Sequence, residues 1–85
     1  MKNTITQEDI DRIKKDAVFK TFTIFDKCTV VACKLANGFV IVESSACVDP
    51  LNYDPHLGEQ ICKERIVDRL WELEGYRLQQ EVFER

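Results

Sequence analysis

The sequence predicts an α+β fold in which a small antiparallel β-sheet is packed by a short N-terminal helix and a long C-terminal helix. Runs rich in β-branched and aromatic residues at positions 18–25, 29–35 and 39–42 are typical of strands. Asn37-Gly38, between the last two runs, is a strong signal for a hairpin. After Pro55, apolar residues recur at helical spacing. Together with a helix start near the N-terminus, these observations predict the order α-β-β-β-α.

The first helix has a recognisable start. Thr6 offers a hydroxyl cap, and Glu8 and Asp9 place acidic groups at the positive end of the helix dipole. The pattern predicts a helix over residues 7–16. A helix this short is marginal alone, so it is expected to dock on the rest of the domain.

Two turns join the three predicted strands. Asp26-Lys27 is predicted to form the first turn. Asn37-Gly38 is predicted to form the second as a two-residue loop, because both residues tolerate positive φ. With that loop, Cys33 faces Val42 across the hairpin. One face of the hairpin is then assigned to the core: Val31, Cys33, Leu35, Val40 and Val42.

The opposite face of the hairpin carries Val30, Ala32, Phe39 and Ile41. This face is too apolar to be left in solvent, so something is expected to cover it. Another part of the same chain, another copy of the protein and a bound ligand are the three alternatives. The candidate interface residues are Val30, Phe39 and Ile41.

The long helix is predicted to begin with Asp54 as its cap and Pro55 at its first position. Gly58 permits close approach of the helix backbone to the sheet. Gly75 is expected to break the helix before a short terminal helix. The core side of the long helix is predicted to be formed by apolar residues at helical spacing, namely Leu57, Ile61, Ile66, Leu70 and Leu73.

The size of the chain limits its core. Its 85 residues predict a single domain, residues 1–85, because they are too few for two independent cores. A core this small gives limited stability, and self-association is one way to increase it. We therefore expect a homo-oligomer, a dimer or a multiple of one.

Charge and composition exclude several classes of function. The net charge is −3 and no basic stripe is present, so general nucleic-acid binding is not expected. The four cysteines contain no CxxC pair and the chain has one histidine, so neither a metal site nor a cofactor is predicted. No segment approaches 18 apolar residues, and no membrane span or leader peptide is expected.

A series of motifs in fixed order resembles a known family. The series consists of Asn37-Gly38-Phe39, ESSACVDP at residues 43–50, Asn52-Tyr53-Asp54, Leu57-Gly58 and WELEGYRL at residues 71–78. It is similar to the phage gene-product 49 / gene-product 66 family, small proteins of tailed bacteriophages and prophages.

The likeness covers roughly residues 27–78. Tyr53 stands where the family pattern leads us to expect phenylalanine. The resemblance implies an accessory phage protein without established enzymatic activity, located in the cytoplasm of the infected bacterial host. It implies no catalytic residues.

Catalysis is not predicted from the residues either. His56, the only histidine, falls in the first turn of the long helix, where a side chain is typically solvated. Asp49 and Asp54 would suit acid–base chemistry as a pair. Each is followed by proline, however, in a context typical of a turn or a helix cap. We therefore expect a protein that is not an enzyme.

Binding of a nucleotide-type immune signal by an oligomeric sponge is one alternative function. It needs an aromatic ring for stacking, short polar groups for ribose and an arginine for phosphate. Each of these side chains also has an ordinary structural explanation, as packing, a local turn or a solvated ion pair such as Arg65–Asp68 or Arg69–Glu72. The candidates, expected to converge near the strand-to-helix corner, are Phe39, Asp49, Asn52, Tyr53, Arg65 and Arg69.

Binding of a host protein is the function that we expect first. A small acidic chain with an apolar sheet or helix face is suited to cover a host enzyme or regulator during host takeover or anti-defence. A virion or structural accessory role is the remaining alternative.

Overall fold

The computed structural model describes residues 2–85 as an elongated body of 54 × 20 × 19 Å. The observed order of elements confirms the predicted α+β class. The elements are α1 (Gln7–Lys15), β1 (Val18–Ile24), β2 (Cys28–Lys34), β3 (Val40–Ala46), a 3₁₀ turn (Pro50–Asn52) and α2 (Pro55–Phe83). The three strands form one antiparallel sheet in the order β1-β2-β3.

α1 begins where the sequence predicts. The Thr6 hydroxyl accepts a hydrogen bond from the backbone N–H of Asp9, and the Asp9 carboxylate accepts one from the backbone N–H of Thr6 at 2.9 Å. This reciprocal pair is a capping box. A bond from the Lys2 ammonium is the main cause that holds the pKa of Asp9 well below its ordinary value, followed by the bond from the Thr6 backbone.

α2 is one continuous helix, and the predicted break at Gly75 is wrong. Asp54 caps the helix as predicted, since its carboxylate accepts from the backbone N–H groups of His56 and Leu57 at 3.0 and 3.2 Å. Arg77 bonds to Glu74 on one side of the glycine and to Glu81 on the other. Leu78 is buried beyond it. These contacts offset the weak helix preference of a single glycine.

The hairpin between β2 and β3 has a register one residue away from the predicted one. Its loop contains three residues, Ala36 to Gly38, because the backbone N–H of Gly38 donates to the Leu35 carbonyl at 2.9 Å. The Leu35 N–H then donates to the Phe39 carbonyl at 2.8 Å. Gly38 adopts φ +93°, which favours glycine. Asn-Gly therefore marks the correct hairpin with a longer turn than predicted.

The change of register exchanges the two faces of β3. Cys33 faces Ile41 in the structure, and Ala32 faces Val42. Ile41 is therefore in the core at 2% exposure, although the sequence analysis places it on the opposite face. Val40 and Val42, predicted to be core residues, are exposed. A slip of one residue always has this effect, because side chains alternate along a strand.

The turn between β1 and β2 also lies one residue earlier than predicted. Its central residues are Phe25 and Asp26, with φ of 53° and 57°, rather than Asp26 and Lys27. The Lys27 N–H donates to the Ile24 carbonyl at 3.3 Å and closes the turn. A bulky residue such as phenylalanine is strained in this left-handed region.

The core lies between the sheet and the two helices. α2 packs across β2 and β3, and α1 contributes Ile10. Trp71 and Phe19 are half-buried at its margin. The fully enclosed residues are Ile10, Val31, Cys33, Ile41, Cys62, Ile66 and Leu70.

Candidate functional site

One face of the sheet points away from α2, and we call it the open face. Residues paired across an antiparallel sheet project to the same side, and alternate residues project to opposite sides. The pairing of Ala32 with both Lys20 and Val42 therefore assigns every second residue of each strand to this face. The open face consists of Val18, Lys20, Phe22, Ile24, Cys28, Val30, Ala32, Lys34, Val40, Val42, Ser44 and Ala46.

The open face is apolar and exposed. Its five large exposed residues are between 42% and 57% accessible: Val18, Phe22, Ile24, Val40 and Val42. Its two charges are Lys20 and Lys34, and it carries no carboxylate. Contiguous exposed apolar surface with polar groups around it is characteristic of sites that bind another macromolecule.

The candidate interface residues have different positions in the structure. Val30 lies half-buried on the open face, and Phe39 lies exposed in the hairpin loop. Ile41 is not available for an interface, because it is buried in the core. α1 does not cover the open face, since Ile10 packs on the other side of the sheet with α2.

β1 contributes to the open face, which the predicted hairpin face did not include. Val18, Phe22 and Ile24 recur with the period of two that places side chains on one side of a strand. That signal was available. What it does not reveal is which of the two sides α2 would cover.

The strand-to-helix corner is held by its own hydrogen bonds. Asp49 accepts from the backbone N–H of Leu51 at 2.9 Å, as a turn residue does. The Tyr53 hydroxyl lies 2.7 Å from the hydroxyl of Thr29 and 2.9 Å from that of Thr23. Thr29 is completely buried. The extra oxygen of tyrosine therefore has a structural role that phenylalanine could not fill.

The corner contains a cavity of about 160 Å³ that Asn52 and Tyr53 help to line. Binding pockets for small organic ligands are usually about 300–1,000 Å³. The cavity lies below this range.

The other predicted ligand residues do not converge on the corner. Phe39 lies at the opposite end of β3, and seven residues of strand span about 23 Å. Arg65 donates to the Ser44 carbonyl at 2.6 Å, and Arg69 pairs with Glu43 at 3.7 Å. Both arginines therefore contact β3 in place of the predicted helical partners Asp68 and Glu72.

The remaining reactive groups within residues 2–85 include two buried thiols and one exposed histidine. Burial raises the pKa of the Cys33 and Cys62 thiols, which disfavours the nucleophilic thiolate. His56 is exposed on the first turn of α2. Within residues 2–85, no group of three or more His, Cys, Asp or Glu side chains is arranged to hold a metal ion. No helix in the same part of the chain is long and apolar enough to cross a membrane.

Replacing Tyr53 by phenylalanine is expected to lower the free energy of unfolding by about 1–3 kcal/mol, because the buried Thr29 hydroxyl loses its hydrogen-bond partner. Chemical denaturation of the purified variant measures this change. The double variant Tyr53→Phe with Thr29→Val is the control, since it removes both hydroxyls. It is expected to regain part of the loss. An unchanged stability for the single variant would contradict a structural role for this hydroxyl pair.

Comparison with known proteins shows one family. The family model described as "Phage protein (N4 Gp49/phage Sf6 gene 66) family" matches residues 3–82, almost the whole chain. No curated protein and no solved structure matches the chain.

Proposed function

The chain belongs to this family of phage proteins, and from that premise we propose that it acts by binding another protein and not as an enzyme. The observation that carries the proposal is the open face. A monomeric soluble protein rarely leaves a contiguous apolar surface of this kind uncovered unless it serves an interaction. The open face also carries only positive charge, since it has two lysines and no carboxylate. A surface with charge of one sign attracts partners of the opposite sign.

The partner that fits the open face has an apolar centre and acidic groups at its margin. Phe22, Val30 and Val42 form the apolar middle, and Lys20 and Lys34 provide positive charge beside it. Charged groups at the margin of an interface contribute mainly to the rate of association and to the choice of partner. We propose a host protein as this partner, in the cytoplasm of the infected bacterium, with host takeover or anti-defence as the biological context.

Sequestration of a nucleotide-type signal is the weaker candidate. The corner cavity of about 160 Å³ is small, and Arg65 and Arg69 are engaged with β3. No feature of the fold favours a virion or structural role over host-protein binding.

Val42→Glu tests the proposed binding surface. Tagged wild-type protein is purified from infected cells, the captured host protein is identified, and its affinity is then measured by calorimetry with purified components. Val42→Glu places a carboxylate in the open face and is expected to weaken binding by about tenfold or more.

Val48→Glu is the matched control. Val48 is 93% exposed in the segment after β3, outside the three strands that form the open face, and its substitution is expected to leave the affinity unchanged. Circular dichroism checks that both variants are folded. Equal affinity of Val42→Glu and wild type would refute the proposed surface. A nucleotide-sized adduct in native mass spectra, without a captured protein, would favour the sponge.

A further inference from the structure

The sheet has two edges, and the direction of the backbone groups at each edge follows from the hairpin bonds. The Leu35 N–H donates to Phe39, and the Cys47 N–H donates to the Lys27 carbonyl at 3.0 Å. Odd-numbered residues of β2 therefore bond to β3. Because backbone groups alternate between the two sides of a strand, the even-numbered residues bond to β1.

The outer edge of β1 consequently presents the backbone groups of its odd-numbered residues. The even-numbered residues of β1, such as Lys20 and Phe22, pair with even-numbered residues of β2 and are engaged. Phe19, Thr21 and Thr23 direct their N–H and C=O groups away from the sheet. Within residues 2–85, no side chain bonds to the backbone of these three residues. The edge of β1 is thus free to bond to a further strand.

The edge of β3 is protected in a way that the edge of β1 is not. By the same alternation, the Ser44 carbonyl points outward from β3, and the Arg65 guanidinium donates to it at 2.6 Å. β1 has no proline and a single charge, Lys20, and six of its seven residues are exposed. Natural proteins usually protect a long apolar edge strand, since it can pair with another chain. β1 is therefore the edge available for pairing.

We propose that β1 pairs antiparallel with β1 of a second copy of this chain, about a two-fold axis at Thr21. In this register Phe19 lies opposite Thr23 of the second copy, and Thr21 lies opposite its own counterpart. All seven residues of each strand take part. The outward-facing N–H and C=O groups of the odd-numbered residues in one β1 strand then lie opposite those of the other β1 strand, as an antiparallel ladder requires. The same surface on both copies is used, as two-fold symmetry demands.

The single charge of β1, Lys20, favours this register over the neighbouring ones. With the axis at Thr21, Lys20 lies opposite Phe22 of the second copy, where an ammonium group and an aromatic ring attract each other. With the axis at Lys20, the two Lys20 side chains would lie opposite each other, which is unfavourable. With the axis at Phe22, the overlap shrinks to residues 20–24. The register at Thr21 combines the longest overlap with no pair of like charges.

This pairing would join the two open faces into one surface on a six-stranded sheet. α2 of each copy lies on the opposite side of the sheet, so the joined surface stays accessible. The inference rests on the backbone of β1 and does not depend on the proposed host partner. Loss of the dimer and loss of partner binding are separate results, since the first is measured on the purified chain alone.

Thr21→Pro tests the pairing. Proline at this position removes an N–H that points away from β2, so it leaves the sheet of the monomer intact. Thr21→Val is the matched control, because it also removes the hydroxyl but keeps the N–H. Sedimentation velocity and native mass spectrometry are expected to show a dimer for wild type and Thr21→Val. Thr21→Pro is expected to raise the dimer dissociation constant by about tenfold or more while keeping the circular dichroism spectrum.

Val42→Glu distinguishes edge pairing from face-to-face contact. Val42 lies on β3, away from the β1 edge, and its substitution is expected to leave the dimer intact. Four results would overturn the inference. The first is a wild-type chain that stays monomeric at about 100 µM, and the second is a Thr21→Pro dimer as tight as the wild-type dimer. The third is that Thr21→Val weakens the dimer as much as Thr21→Pro does, and the fourth is that Val42→Glu dissociates the dimer.

Discussion

Leu70→Ala is expected to lower the free energy of unfolding by about 2–5 kcal/mol, which is the usual cost of truncating a large aliphatic residue in a packed core. Leu70 is 1% exposed and lies among the enclosed residues between α2 and the sheet. A domain of this size is stable by only about 5–15 kcal/mol at most. The variant is therefore expected to lose a large part of this stability and to melt well below the wild-type protein. Thermal denaturation followed by circular dichroism measures the effect.

Leu57→Ala is the matched control for this prediction. Leu57 lies on the same helix, but it is 54% exposed although the sequence analysis assigns it to the core side. Its truncation is expected to change the stability by no more than about 0.5 kcal/mol. If the two variants melted at the same temperature, the position of the core on α2 would have to be revised.

Gly58→Ala is expected to destabilise the protein by about 1–3 kcal/mol, although alanine is ordinarily the better helix former. A Cβ at position 58 would overlap the Thr29 hydroxyl oxygen and would lie 2.9 Å from the Thr29 Cβ. Thr29 cannot move away easily, because it is buried, β-branched and bonded to Tyr53. Either α2 shifts away from β2 or the hydrogen bond breaks. Urea denaturation measures the loss.

Gly75→Ala supplies a control with the opposite sign. Gly75 lies in the interior of the same helix, and a Cβ there would meet no atom within 4 Å. Alanine is therefore expected to stabilise the protein by about 0.5–1 kcal/mol. Stabilisation by both substitutions would show that α2 does not approach β2 as closely as the structure indicates.

Local sequence patterns predicted the elements of the fold well. The cap at Thr6 and the Asp54-Pro55 start of α2 each depend on the chemistry of one residue and its immediate neighbours. Such features are visible in the sequence because the atoms that satisfy each other are a few residues apart. The family resemblance is likewise confirmed, since its motifs are local.

The residues of the candidate ligand site come from distant parts of the chain, and the structure does not bring all of them together. Phe39 and Tyr53 lie at opposite ends of β3, a separation that follows as soon as the strand between them is assigned. Arg65 and Arg69 reach sideways to β3, whereas helical spacing alone suggests partners along the helix. A prediction of convergence depends on the register of the strands and the direction of the helix, and both are properties of the assembled domain.

The α+β class, the start of both helices and the presence of two hairpins can be read from the sequence, because each follows from local backbone preference and side-chain spacing. Which face of the sheet is covered depends instead on contacts between distant parts of the chain. The turn at Gly38 is one residue longer than Asn-Gly alone predicts, and that single residue turns Ile41 inward and Val42 outward. The position of the apolar open face thus depends on how one loop closes and on where α2 packs.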